Sequence, residues 1–226
     1  MRREAVALVA ALVIAPLKIL LDLGADPNAV ATDGATPLHW AAGRGDGASI
    51  ELLLAAGWTL SPTAPATCAA SGGFVDSIKL LLARGAEVDA RARGHYGKTP
   101  LFNAAEEGKL EGVRALLDAG ACIECENDGT STALIAAVAS GNSAVVELML
   151  ARGAGVNHGQ SDGTTPLHGA VGNGDLAVAR LLLDHGADVT IRRTSVTTWQ
   201  GTPLDIARRI GNEEMVALLQ QYGAKE

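Results

Sequence analysis

Aromatic residues make up only 3% of the 226 positions, with three Trp, two Tyr and two Phe, so no large aromatic-centred core can be built. Cysteine is equally scarce: three residues, an odd number, do not make a disulfide framework, and the chain reads as intracellular and reduced. Charge of one sign is not concentrated anywhere. With 18 basic and 25 acidic residues the formal charge is −7, and no block of five like charges occurs, which speaks against sequence-wide binding to nucleic acid or anionic lipid. The longest apolar run, Ala5 to Leu17, covers about 13 residues and is too short to span a bilayer. Met1-Arg2-Arg3 before it has the outline of a signal peptide, yet the run passes directly into Leu20-Leu21-Asp22-Leu23-Gly24-Ala25-Asp26, a phrase that recurs downstream. A structural N-terminal helix is the favoured reading.

What the chain has in abundance is alanine, leucine and 27 glycines, arranged periodically. Thr36-Pro37-Leu38-His39, Thr99-Pro100-Leu101-Phe102, Thr132-Ala133-Leu134-Ile135, Thr165-Pro166-Leu167-His168 and Thr202-Pro203-Leu204-Asp205 are five copies of one opening, with a worn sixth at Ala64-Pro65-Ala66-Thr67. Thr99, Thr132 and Thr165 stand 33 residues apart. Threonine caps free backbone N–H groups, and proline in the first turn gives up only an N–H that would be unpaired there. Thr-Pro therefore marks a helix start. Gly45, Gly108, Gly141, Gly174 and Gly211 end that helix after about two turns, in the left-handed conformation. A second helix follows, with aliphatic triplets such as Leu80-Leu81-Leu82 and Leu181-Leu182-Leu183, and closes at Gly24, Gly57, Gly85, Gly120, Gly153, Gly186 or Gly223. Asp and Asn residues then supply a turn before the next threonine.

This phrase resembles the ankyrin repeat, whose period and Thr-Pro-Leu-His-x-Ala signature it shares across residues 17 to 224. The resemblance implies an all-α solenoid of stacked helix-turn-helix units with β-hairpin-like fingers, in which fingers and first helices form the binding face. It divides a single domain, 1–226, into an atypical N-terminal unit 1–31, repeats at about 32–60, 61–93, 94–126, 127–159 and 160–192, and a C-terminal capping repeat 193–226. The function implied is that of a protein–protein interaction scaffold with a protein partner, without catalytic residues, cofactor, metal, nucleic acid, small-molecule substrate or membrane, acting in the cytoplasm or the nucleus. The alternative is a segment of a larger multidomain protein, or a membrane-attached adaptor using the apolar N-terminal helix 1–17.

The repeats are unequal. From closing glycine to helix opening the distance is 12 residues in three repeats, 7 from Gly57 to Ala64, 14 from Gly85 to Thr99 and 16 from Gly186 to Thr202. A repeat that has lost finger, cap and core volume predicts a weak seam around residues 58–73. The two long fingers carry Arg91, Arg93, His95, Tyr96 and Lys98, and Arg192, Arg193, Trp199 and Gln200. Tyr, Trp and Arg dominate binding hot spots, so Arg91, Arg93, Tyr96, Arg192, Arg193 and Trp199 are the candidate contacts. By analogy with the family, Glu106 and Glu107 join them at the groove. Trp40 and Trp58 are expected to pack within repeats.

Of the remaining chemistry, His39 and His168 close the Thr-Pro-Leu-His phrase and are read as structural, bonding the threonine. His95 and His158 are expected to be solvated in fingers. Cys122-Ile123-Glu124-Cys125 has the spacing of a metal or redox motif, but a zinc site needs a second pair, and a redox motif opens a helix. It is read as a coincidence of finger residues, with a local disulfide as the lesser alternative. No nucleophile–base–acid constellation appears.

Overall fold

The computed structural model describes residues 14–32, 34–58, 65–92, 96–194 and 200–225. Among them lie α1 (Ile14–Asp22), α2 (Pro37–Gly43), α3 (Gly47–Ala55), α4 (Pro65–Gly72), α5 (Val75–Ala83), α6 (Pro100–Glu106), α7 (Leu110–Asp118), α8 (Ala133–Ser140), α9 (Ser143–Ala151), α10 (Pro166–Asn173), α11 (Leu176–Asp184), α12 (Pro203–Ile210) and α13 (Glu213–Gln221). Each opening proline is the first helical residue, at Pro37, Pro65, Pro100, Pro166 and Pro203. The first helix of each pair runs seven or eight residues and the second nine. The cap chemistry varies with the fourth residue of the phrase. Thr132 Oγ1 accepts from Ile135 N–H, whereas Thr202 and Asp205 bond reciprocally, Thr202 N–H donating to the Asp205 carboxylate at 2.8 Å and Asp205 N–H to Thr202 Oγ1 at 3.2 Å.

The chain divides into two compact units, Met1–Ala104 with Glu111–Ala121, and Ala105–Leu110 with Cys122–Glu226. In the first, α2 packs on α4, α3 on α5 and α1 on α3, while α2 and α4 each pack on the helix that follows them. The second unit repeats the scheme: α10 lies between α8 and α12, and α11 between α9 and α13. Two layers result in each unit, first helices on first helices and second on second. The seams are aliphatic: Leu38, Ile50, Leu53, Ile78 and Leu81 in one unit, Leu134, Val145, Met149, Leu167 and Leu182 in the other, all buried. Burying each such side chain contributes about 1.5–3 kcal/mol, and no helix pair can bury both its faces alone.

The shortened second repeat keeps its opening helix although Thr, Leu and His are replaced by Ala64, Ala66 and Thr67. Residues 59–64, including Ala64 and its missing cap, lie outside the described residues. Small side chains let α4 approach α2 closely; a Cβ on Gly43 would stand 3.6 Å from Cys68 Cβ. Phe74 fills the adjoining turn, and a Cβ on Gly45 would stand 2.7 Å from its Cγ. The half-buried Phe74 ring thus covers the turns at Gly45 and Gly72.

Fingers close by backbone hydrogen bonds rather than by full strands. Ala31 N–H bonds Ala35 O at 2.8 Å, Ala92 bonds Lys98 at 3.0 Å, Asn127 bonds Ser131 at 3.0 Å and Gln160 bonds Thr164 at 2.8 Å. The 16-residue finger alone forms an antiparallel bridge among the described residues, between Arg193 and Gly201.

Two expectations about packing and cysteine chemistry fail. Trp58 is buried as expected, but Trp40 is 42% exposed, because it occupies the variable fifth position of the opening phrase, which need not enter the α2–α4 seam. The cysteines are not all thiols: Cys122 and Cys125 are joined by a disulfide, the lesser alternative. The turn at Ile123-Glu124 brings their Cα atoms to 5.4 Å, within the ~4.4–6.8 Å range that a disulfide bridges.

Candidate partner-binding surface

In the first unit the candidates sit on the 14-residue finger. Arg91 Nη1 donates to Gly97 O at 3.5 Å, which holds the guanidinium back against the finger's own base. Tyr96 is 75% exposed at the tip and has φ +54°, a left-handed conformation that non-glycine residues adopt at a cost. Lys98 lies over the Phe102 ring, 5.4 Å from its centroid, and is thereby turned towards the helix. Arg93, like His95, lies outside the described residues.

In the second unit the two arginines of the 16-residue finger have different situations. Arg193 is only 22% exposed in its side chain and pairs with Asp162 of the preceding finger at 3.1 Å. Burial opposes ionisation of Asp162, but hydrogen bonds from Thr164 and the Arg193 guanidinium hold its carboxyl below the usual value. Thr194 N–H adds a bond to Asp162 O at 2.7 Å. Arg193 is therefore a clasp between fingers. Arg192 is 67% exposed and reaches Asp205 at 3.6 Å, a loose surface pair that leaves most of the guanidinium in water. Glu106 and Glu107 are exposed at the end of α6. Trp199 lies outside the described residues.

The histidines behave as two kinds. Thr36 N–H donates to His39 Nδ1 at 3.1 Å, and Thr165 N–H to His168 Nδ1 at 3.2 Å, with each threonine hydroxyl 2.8 Å from the same nitrogen. His168 Nε2–H then donates to Gly201 O at 3.2 Å, tying α10 to the next opening. Burial pushes the His168 imidazole below its ordinary value, so it is a neutral structural group. His158, expected in solvent, is instead held by two carboxylates: Nδ1 lies 2.6 Å from Glu124 and Nε2 2.8 Å from Glu126. Hydrogen bonds to Glu126 and Glu124 raise its pKa. The sequence carried a signal for neither partner, because they lie 32 and 34 residues away and meet only when the fingers stack.

A shallow, open depression at the last helix pair is lined by Arg208, Gly211, Glu213, Val216, Ala217 and Gln220, with no histidine, cysteine or serine among them. Among the described residues, no group of three or more His, Cys, Asp or Glu side chains is placed to hold a metal ion, and no helix is long and apolar enough to cross a membrane.

Helix pairs stacked in two layers within each unit, with fingers between successive pairs, define a helical repeat protein. The family model for ankyrin repeats (3 copies) matches residues 8–92, 56–127, 122–193 and 159–226, and the chain belongs to the ankyrin-repeat family. Ankyrin repeats are generally protein–protein interaction modules, and the family is typically non-enzymatic.

Proposed function

We propose that the chain is a scaffold that binds protein through its long fingers, each acting within its own unit, and that what binds presents carboxylates to them. The observation that carries this reading is Tyr96, a large aromatic side chain exposed on a finger tip whose backbone is held at φ +54°. A residue in a sparsely populated conformation is kept where the surrounding structure fixes it, and the packing of its own unit does not use the Tyr96 ring. Arg192 supplies the charged contact: it is mostly in water, while its neighbour Arg193 holds the finger in place. A finger fixed before binding loses less conformational entropy on docking. Trp40 adds an exposed aromatic on the first helix of its repeat.

The test compares the proteins retained by the wild-type chain with those retained by Tyr96→Ala combined with Arg192→Glu. Loss of a partner that the wild type retains is expected, and that partner's binding to wild type should weaken with salt. An unchanged set of retained proteins would contradict the assignment.

The exposed Ile19 on α1 and Leu23 just past its end, 79% exposed, favour a second reading in which the N-terminal helix docks to a membrane or a further domain. Fractionation of the chain with and without residues 1–16 separates it: an unshifted distribution removes the membrane version.

A further inference from the structure

Five fingers make the same tight turn three and four residues after their closing glycine, at Pro27-Asn28, Val88-Asp89, Ile123-Glu124, Val156-Asn157 and Val189-Thr190. Only one of these turns is flanked by cysteines, so the Cys122–Cys125 disulfide is not what makes the turn form. In three of the five, the last turn residue also reaches the following repeat. Asn157 Oδ1 accepts Asp188 N–H of the following finger at 2.8 Å, and its Nδ2 donates to Gly186 O at 3.1 Å; Asn28 reaches Gly57 O in the same way. Glu124 stands at that position in the cysteine-flanked turn and accepts Gly155 N–H at 2.7 Å. A neutral amide rung is here replaced by a carboxylate. Its second oxygen binds His158 Nδ1, and Glu126, the residue just after Cys125, binds Nε2.

The disulfide thus closes a ring whose backbone includes one jaw of a charged clamp and ends next to the other. We propose that Cys122 and Cys125 form a thiol–disulfide exchange site, and that its redox state sets how tightly Glu124 and Glu126 hold His158 of the next finger. Both cysteines are half-buried and can be reached by a reagent. A dithiol reductant supplies the two electrons. Its thiolate attacks one sulfur to give a mixed disulfide, the other cysteine leaves as a thiolate and takes a proton, and the reductant's second thiol displaces the remaining cysteine as a thiol. The products are two protein thiols and the reductant's own disulfide. A peroxide reverses the change, taking both thiol hydrogens and two electrons to leave the disulfide and two waters. Opening the ring restores backbone freedom to Glu124, so that holding its carboxylate against both Gly155 and His158 costs more ordering. The turn itself persists, as it does in the four fingers that lack cysteine.

The experiment uses the full chain, oxidised or treated with dithiothreitol, with the disulfide followed as a two-dalton mass change. His158 titration is read by NMR and assigned with His158→Gln; the charged groups acting on that imidazole are Glu124 and Glu126. Reduction is expected to move the His158 midpoint down and to speed amide exchange at Gly155 about tenfold, as loss of a charge-assisted hydrogen bond requires. Exchange at Asp188, on the neutral Asn157 rung, serves as the internal control and stays constant. Cys122→Ser with Cys125→Ser should show the reduced values without reductant, and Glu124→Gln should show a low midpoint in both states. Wild type alone decides the matter should a variant fold poorly. A His158 midpoint and a Gly155 exchange rate indifferent to reduction overturn the proposal, as does a cysteine pair that stays open under peroxide.

Discussion

His158 and His168 titrate in opposite senses, and the signs follow from what each imidazole touches. His168 has its folded value lowered, burial being the largest cause, so its contribution to stability is present above the ordinary 6.5 and lost as pH falls through the depressed folded value. His158 has its folded value raised by Glu126 and Glu124, so its contribution is present below 6.5 and lost as pH rises through the raised value. His158→Gln is therefore expected to destabilise by ~0–1 kcal/mol in mild acid, the small figure reflecting a solvent-screened clamp, and to be neutral at alkaline pH. Urea midpoints across pH check both directions. Glycine gives a second comparison at this scale. Gly45 and Gly211 have φ of +70° and +71°, but a Cβ meets the Phe74 ring at the first and nothing within 4 Å at the second. Gly211→Ala should cost ~1–2 kcal/mol for the left-handed conformation alone, and Gly45→Ala measurably more; equal losses would mean that the Phe74 ring is not packed tightly on the Gly45 turn.

At the scale of elements, helix starts and ends were legible in the sequence because each depends on one residue's own chemistry. Thr-Pro set four openings to the residue, and the glycines predicted to end first helices do have positive φ. What lay beyond reach joins residues one period apart: the Glu124–His158–Glu126 clamp, the Arg193–Asp162 clasp and the His168–Gly201 bond all depend on stacking register. The exposure of Trp40 was hidden for a related reason, since a position that the signature leaves variable can be buried or free according to its neighbour. Arg192 and Arg193 are adjacent in sequence yet divide into a loose, exposed surface pair with Asp205 and a half-buried clasp on Asp162. Caps give the test here. Thr202→Ala removes the acceptor for Asp205 N–H and should cost ~1 kcal/mol, and the same loss should follow Thr132→Ala, whose cap is a single bond. Hydrogen exchange should also open residues 58–73 before the 99–190 block, because α4 buries Ala66 where the other openings bury leucine. Equal protection in both would rule out the weak seam.

At the scale of the whole chain, two compact units with aliphatic seams carry fingers of unequal length, and the ankyrin family supplies the general role of an interaction module. Which surface acts is the proposal that the long fingers make. The most direct measurement places a photo-crosslinking amino acid singly at Tyr96, at Arg192 and, as a control, at the exposed Lys79 on α5. Illumination in the native cell extract is predicted to yield a crosslinked protein from position 96 and from position 192, and none from position 79. A partner captured equally from position 79, or from neither finger, would contradict the account.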